Sequence, residues 1–176
     1  MLKKFSMLLV LFAGFSTSAM GRWAEEESPF AGAKEGDWVR YKVSSTAIPD
    51  QKITLKKTVI ARSADSVTIR SETTVGEAKG KTSEQKISLK EKFDPSVPAK
   101  GKDGKATLVS ETAESISVKD KKIDCKVLDY RIENSAGLKG SSKIWMGKGF
   151  SLGMVKMEAN NGKFSMKIEV EDFGGK

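Results

Sequence analysis

One cysteine, Cys125, and no histidine stand among the 176 residues, and those two counts decide most of the available chemistry. Without histidine the chain lacks the commonest general base and the commonest metal ligand. Serine–histidine and cysteine–histidine nucleophile systems are excluded with it. A zinc site would need several carboxylates in place of the missing ligands, and no tight cluster supplies them. The acidic run Glu25-Glu26-Glu27 reads as solvated chain, and Gly147-Lys148-Gly149 reads as a turn because it lacks the context of a phosphate-binding loop. A catalytic carboxylate pair on a sheet, as in glycosidases, is indicated by no particular residues. The sequence therefore predicts a protein that is not an enzyme and that uses no metal and no cofactor.

What remains is apolar. Met146, Met154, Met157 and Met166 lie close together near the C-terminus, beside Trp145, Phe150, Leu152 and Phe164. Methionine is flexible and polarizable and suits surfaces that accept variable apolar shapes. Trp145, Met146, Val155, Met157, Phe164, Met166 and Ile168 are accordingly the candidate lining of an apolar ligand site. An ordinary close-packed sheet core produces the same concentration, and the sequence leaves both readings open.

The elements that position these residues have period two. Val39, Tyr41 and Val43 alternate with Trp38, Arg40 and Lys42, and Ile53/Leu55, Val67/Ile69, Ile87/Leu89 and Ile116/Val118 repeat the pattern. Ile123, Cys125 and Val127 also alternate, which predicts a buried cysteine. No window gives a convincing amphipathic helix. Asn161-Gly162 predicts a two-residue hairpin turn that pairs Met157 with Met166 and Val155 with Ile168. Residues 91–105 gather two of the four prolines with many lysines and predict an exposed loop. Residues 76–86 predict a second polar turn region. The fold class is thus all-β or β-dominated α+β: a single curved antiparallel sheet forming a half-barrel or open barrel. A sheet must bury one face against something, and no covering helix is evident.

Lys3 and Lys4, an apolar stretch from Phe5 to Phe15 and the small residues Ser16 to Ala19 have the order of a secretory signal peptide. The expected organisation is a signal peptide over 1–21, a tail over 22–34 and one β domain over 35–176. Export to the periplasm or beyond the cell, in a bacterium, follows, and no second apolar segment predicts a membrane span. Removing Lys3 and Lys4 from the 31 basic residues leaves 29 against 23 acidic ones, a net charge of +6 for the mature chain. The lysines are scattered through turns and outer faces without interleaved aromatics, so nucleic acid is not an expected partner. A basic exterior protects sheet edges and attracts anionic polymers weakly.

Ile123-Asp124-Cys125-Lys126-Val127, Lys143-Ile144-Trp145-Met146, Phe150-Ser151-Leu152-Gly153-Met154-Val155-Lys156-Met157-Glu158 and the Phe173-Gly174 ending resemble a group of secreted bacterial proteins of unassigned function. Gly36-Asp37-Trp38-Val39-Arg40-Tyr41 resembles their first strand. The group is similar to the periplasmic lipoprotein-carrier superfamily, including LolA-like and LppX-like proteins. That resemblance implies a curved half-barrel around an apolar cavity. Ser151 stands where the group usually has proline, and the helices that plug the carriers' cavity are not evident here.

Two functions follow as expectations. The first is a non-catalytic binding protein for a lipid or other apolar ligand, which requires a cavity of roughly 300 Å³ or more. The second is a cell-envelope interaction module that holds a protein or anionic polymer on its basic outer face, which requires a filled core.

Overall fold

The computed structural model describes residues 28–100, 104–133 and 137–175. The expected signal peptide lies outside these residues. Nine strands make one antiparallel sheet: β1 (Trp38–Ser45), β2 (Ile53–Arg62), β3 (Ser66–Val75), β4 (Ala78–Ser88), β5 (Lys105–Val118), β6 (Lys121–Glu133), β7 (Lys139–Gly147), β8 (Met154–Asn160) and β9 (Ser165–Gly174). Their order is β4-β3-β2-β1-β9-β8-β7-β6-β5. The sheet is curved and not closed into a barrel, as the alternation predicts. Two meanders, β1–β4 and β5–β9, are joined by the β1–β9 ladder.

Cross-strand register puts the core on one face. Leu128, Ile144, Met157, Ile168, Val43 and Ile53 are successive partners across six strands, and all are buried. The strand β6 divides its apolar residues. Ile123, Cys125 and Val127 are buried in its first half, and Leu128, Tyr130 and Ile132 in its second. Since neighbouring side chains point to opposite faces, the burial phase changes between Val127 and Leu128. The sheet consequently has apolar material on both sides. Cys125 is buried, as expected.

Three expectations are corrected. In the last hairpin Asn160 faces Ser165, Ala159 faces Met166 and Met157 faces Ile168, two residues from the expected register. The turn is centred on Gly162-Lys163, with φ +81° at Gly162, which matches a type II′ turn. Asn161 Oδ1 accepts from the backbone N–H groups of Lys163 (3.1 Å) and Phe164 (2.9 Å), so the asparagine frames the turn instead of occupying it. A two-residue shift keeps every side chain on its face. Second, residues 78–88 form a strand, because a sheet edge tolerates a polar, lysine-rich sequence. Residues 28–34, the described part of the expected tail, pack on the domain: Phe30 and Ala33 are buried, and Arg62 donates to the carbonyls of Phe30 (3.1 Å) and Ala31 (2.8 Å).

The third correction concerns residues 89–100, on the connection between the two edge strands of the sheet. This segment is a strap across the core face, not an exposed loop. It carries the short helix α1 (Val97–Lys100), and Phe93 packs edge-on against Phe30 with ring centroids 5.4 Å apart. Pro95 and Pro98 lack an N–H, so they can lie against an apolar face without leaving a donor unpaired.

Gly147 tests the packing on the second face. A Cβ there would meet Phe150 Cβ at 2.7 Å, Val155 Cγ2 at 2.8 Å and Ile123 Cγ2 at 3.0 Å. Gly147→Ala is therefore expected to lower unfolding free energy by about 1–3 kcal/mol through overpacking. Urea denaturation checks this, and an unchanged midpoint would show that the three neighbours yield freely.

Candidate functional site

Among the described residues, two surfaces of the sheet have the form of binding sites, and they differ in chemistry. The first lies beneath the strap. Met146, Met154, Met157 and Met166 meet there with Leu55 and Ile168, and Phe93, Pro95 and Pro98 lie over them. The enclosed space is about 40 Å³, room for little more than a water molecule. The covering layer missing from the sequence-level picture is the strap itself.

Polar groups hold the strap down. Lys100 is 6% exposed and its Nζ lies 2.9 Å from Asp94 Oδ2. Asp94 Oδ1 accepts from Ser96 Oγ at 2.6 Å and from the Ser96 N–H at 2.9 Å. Tyr130 lies close to this group: burial, then the charges of Asp94 and Glu111, push its hydroxyl pKa well above the usual range. Ser142, its cross-strand partner, has a buried hydroxyl without a hydrogen-bond partner. Tyr41 reaches across β9 and donates to the Met154 carbonyl at 2.8 Å. Lys57 also lines the methionine space, and desolvation lowers its ammonium to about 8.

Of the sequence-predicted lining, the structure brings Met146, Met157, Met166 and Ile168 together. It does not bring Trp145, Val155 or Phe164 to them. Trp145 faces Val127 and Lys156, on the side opposite Ile144. Its indole N–H donates to Glu114 Oε2 at 2.8 Å, and the ammonium groups of Lys156 and Lys143 lie 4.2 and 5.0 Å from its ring centroid. A register shift between Trp145 and Met146 leaves Val155 without a partner on β7 and aims it at Gly147. Phe164 sits beside the turn and is 46% exposed. Lys57, Leu55 and the strap residues escaped the sequence reading, because only the β1–β9 pairing and the strap carry them to the methionines.

The second surface is an open groove of about 670 Å³. Its floor contains the cross-strand row Asp129, Lys143, Glu158, Lys167 and Ser44, in which charge alternates in sign. Ser141, Asn160 and Ser165 form a second row, and Thr46 borders it. Two lysines balance two carboxylates, so the charges of the groove come close to neutral, and Pro49, Ala159 and Met166 add apolar lining. Among the described residues no group of three potential metal ligands occurs. No helix of the described residues is long and apolar enough to cross a membrane.

No protein-family model and no curated protein matches the chain. Among solved structures, the chain is similar to a candidate exported protein with a YmcC-like fold from Bacteroides fragilis. The TM-score is 0.53 at 11% identity, over 80% of this chain and 96% of that one. At that identity the likeness concerns the fold alone. By itself it does not show the lipoprotein-carrier superfamily that the C-terminal motifs resemble.

Lys57 makes the environment of the methionine layer measurable. Its usual value of 10.5 applies to the unfolded chain, and about 8 to the folded one. Between these values the unfolded chain holds a proton that the folded chain has released, so stability rises with pH. Burial lifts the Cys125 thiol from 9.0 to about 11, and this opposes the rise above pH 9. Unfolding free energy is expected to increase from about pH 7 to pH 9 in the native chain, and to stay flat and higher near neutrality in Lys57→Met. A flat native profile would mean that water reaches the ammonium.

Proposed function

We propose that this protein is an exported, non-catalytic interaction module of the bacterial envelope, and that the polar groove is its contact surface. The observation that carries this reading is the contrast of volumes. The apolar space under the strap is about 40 Å³ and the polar groove about 670 Å³, against the roughly 300–1,000 Å³ typical of ligand sites. Among the described residues, the apolar space under the strap is too small for an acyl chain. The order of charge, apolar run and small residues at the N-terminus supports export, and so does the fold likeness to a candidate exported protein.

The groove chemistry favours a protein partner over an anionic polymer. A polyanion gains from a surplus of positive charge, and here Asp129 and Glu158 cancel Lys143 and Lys167. Alternating signs beside hydroxyl and amide groups suit the mixed donors, acceptors and charges of a polypeptide. Contacts of this kind weaken as salt screens exposed charges.

Photo-crosslinking in the native host tests the surface, with the reactive residue placed at Ser141 or Ser165. A discrete protein adduct is expected, reduced by added salt and lost in Lys143→Glu/Lys167→Glu. Native mass spectrometry of the gently purified protein is expected to give the mass of the chain alone, with no uptake of fatty acid or phospholipid. A bound lipid that disappears on solvent extraction would overturn the proposal and restore the apolar-ligand reading.

A further inference from the structure

Seven methionines occur in the chain, and three of them, Met1, Met7 and Met20, belong to the expected signal peptide. The other four, Met146, Met154, Met157 and Met166, all line the one small space beneath the strap. The rest of the core is built mainly from valine, isoleucine, leucine and aromatic residues. Packing alone does not call for this gathering, because leucine fills nearly the same volume as methionine and holds a better-defined shape. What leucine lacks is sulfur.

The ladders set where the thioethers stand. Met146 on β7 and Met154 on β8 are direct cross-strand partners. Met157 faces Ile144, two residues from Met146, and so stands diagonal to it, a separation that long side chains span. Met166 faces Ala159 and is diagonal to Met157 from the other side. Met157 is fully buried, whereas Met146, Met154 and Met166 are partly exposed, so these three connect the space to the surface.

Histidine, cysteine and carboxylate ligands gather nowhere among the described residues, but thioether sulfur is a ligand of a different kind. It is soft and uncharged, and it selects soft ions such as Cu(I). No described carboxylate lines the space, so a divalent ion would sit uncompensated in apolar surroundings. About 40 Å³ admits one ion and no organic ligand. We propose that Met146, Met154 and Met157 form a binding site for one Cu(I) ion beneath the strap, with Met166 beside it. Lys57 is the one charged residue lining the space among those described, and desolvation lowers its ammonium to about 8, so it can give up its proton as the ion enters. Dioxygen oxidises Cu(I) to the harder Cu(II), which prefers nitrogen and oxygen ligands, so chain purified in air carries no metal. The site is independent of what the groove binds.

Carbon-13 NMR of the methionine methyl groups tests the site in the exported chain, titrated in chloride-free buffer with Ag(I) as the redox-stable analogue of Cu(I). The methyl signals of Met146, Met154 and Met157 are expected to move together and to saturate at one ion per chain. Met154→Leu/Met157→Leu should weaken binding about tenfold or more with an unchanged circular dichroism spectrum. Met146→Leu, at a partly exposed position, gives the same test without touching the buried residue. Lys57→Met removes the opposing charge and should tighten binding about tenfold. Methyl signals that stay in place through two equivalents of Ag(I) overturn the proposal. So does equal affinity in the leucine variants, or binding that is lost only in Cys125→Ala, which would place the ion on the thiol.

Discussion

The β1–β9 ladder is the pairing on which the rest of the fold depends. Every other ladder joins strands adjacent in sequence, whereas this one brings the first strand to the last. Bringing strands so far apart in sequence together is entropically costly. The sequence reinforces it on both faces. Arg40 reaches Glu171 at 2.9 Å and Asp172 at 3.1 Å, and Lys119 donates to Asp172, the leading reason its carboxyl is held below the usual range. These pairs are largely exposed and contribute little individually. The buried partners Val43 and Ile168 supply the larger driving force, because burial of each such side chain stabilises by about 1.5–3 kcal/mol.

Once the ladder is made, the strap has a surface to cross. Leu55 on β2 lies on one side of the junction, and Met157 and Ile168 on the other. Phe93, Pro95 and Pro98 bridge them, so the strap and the ladder depend on one another. The Asp94–Lys100 pair adds little net stability for its burial. It does fix which way the short helix faces, since any other seat would bury the Lys100 ammonium without its carboxylate.

Much of the architecture was legible because strands advertise themselves by alternation. Val39, Tyr41 and Val43, and the burial of Cys125, follow directly from period two. The same rule contained a warning about the candidate site. Trp145 and Met146 are consecutive, and consecutive residues of a strand do not share a face. The displacement of Val155 was not legible, because a bulge depends on how two strands meet. The strap was obscured by composition: proline and lysine mark exposed loops on average, yet Lys100 is buried here by an acid six residues earlier. Likewise Asn-Gly promises a turn, but the frame shifted by one position once the Asn161 side chain had taken the backbone donors.

The phase change in β6 helps explain why, among the described residues, the space under the strap is small. Leu128 and its row face the strap, whereas Val127 and Trp145 face the other way. Divided between two sides, the apolar residues fill each side and enclose little. On the second side the cover is charged. Lys143 and Lys156 hold their ammonium groups over the Trp145 ring, and Glu114 ties the indole N–H. Lys143 therefore belongs both to the packing of Trp145 and to the floor of the polar groove. A lysine held over an aromatic ring has already lost much of its rotamer freedom, so a partner that pairs with it loses less entropy on binding. The tryptophan that sequence alone places in an apolar cavity acts, by this geometry, from beneath the polar surface, by holding in place the charge that a partner would meet.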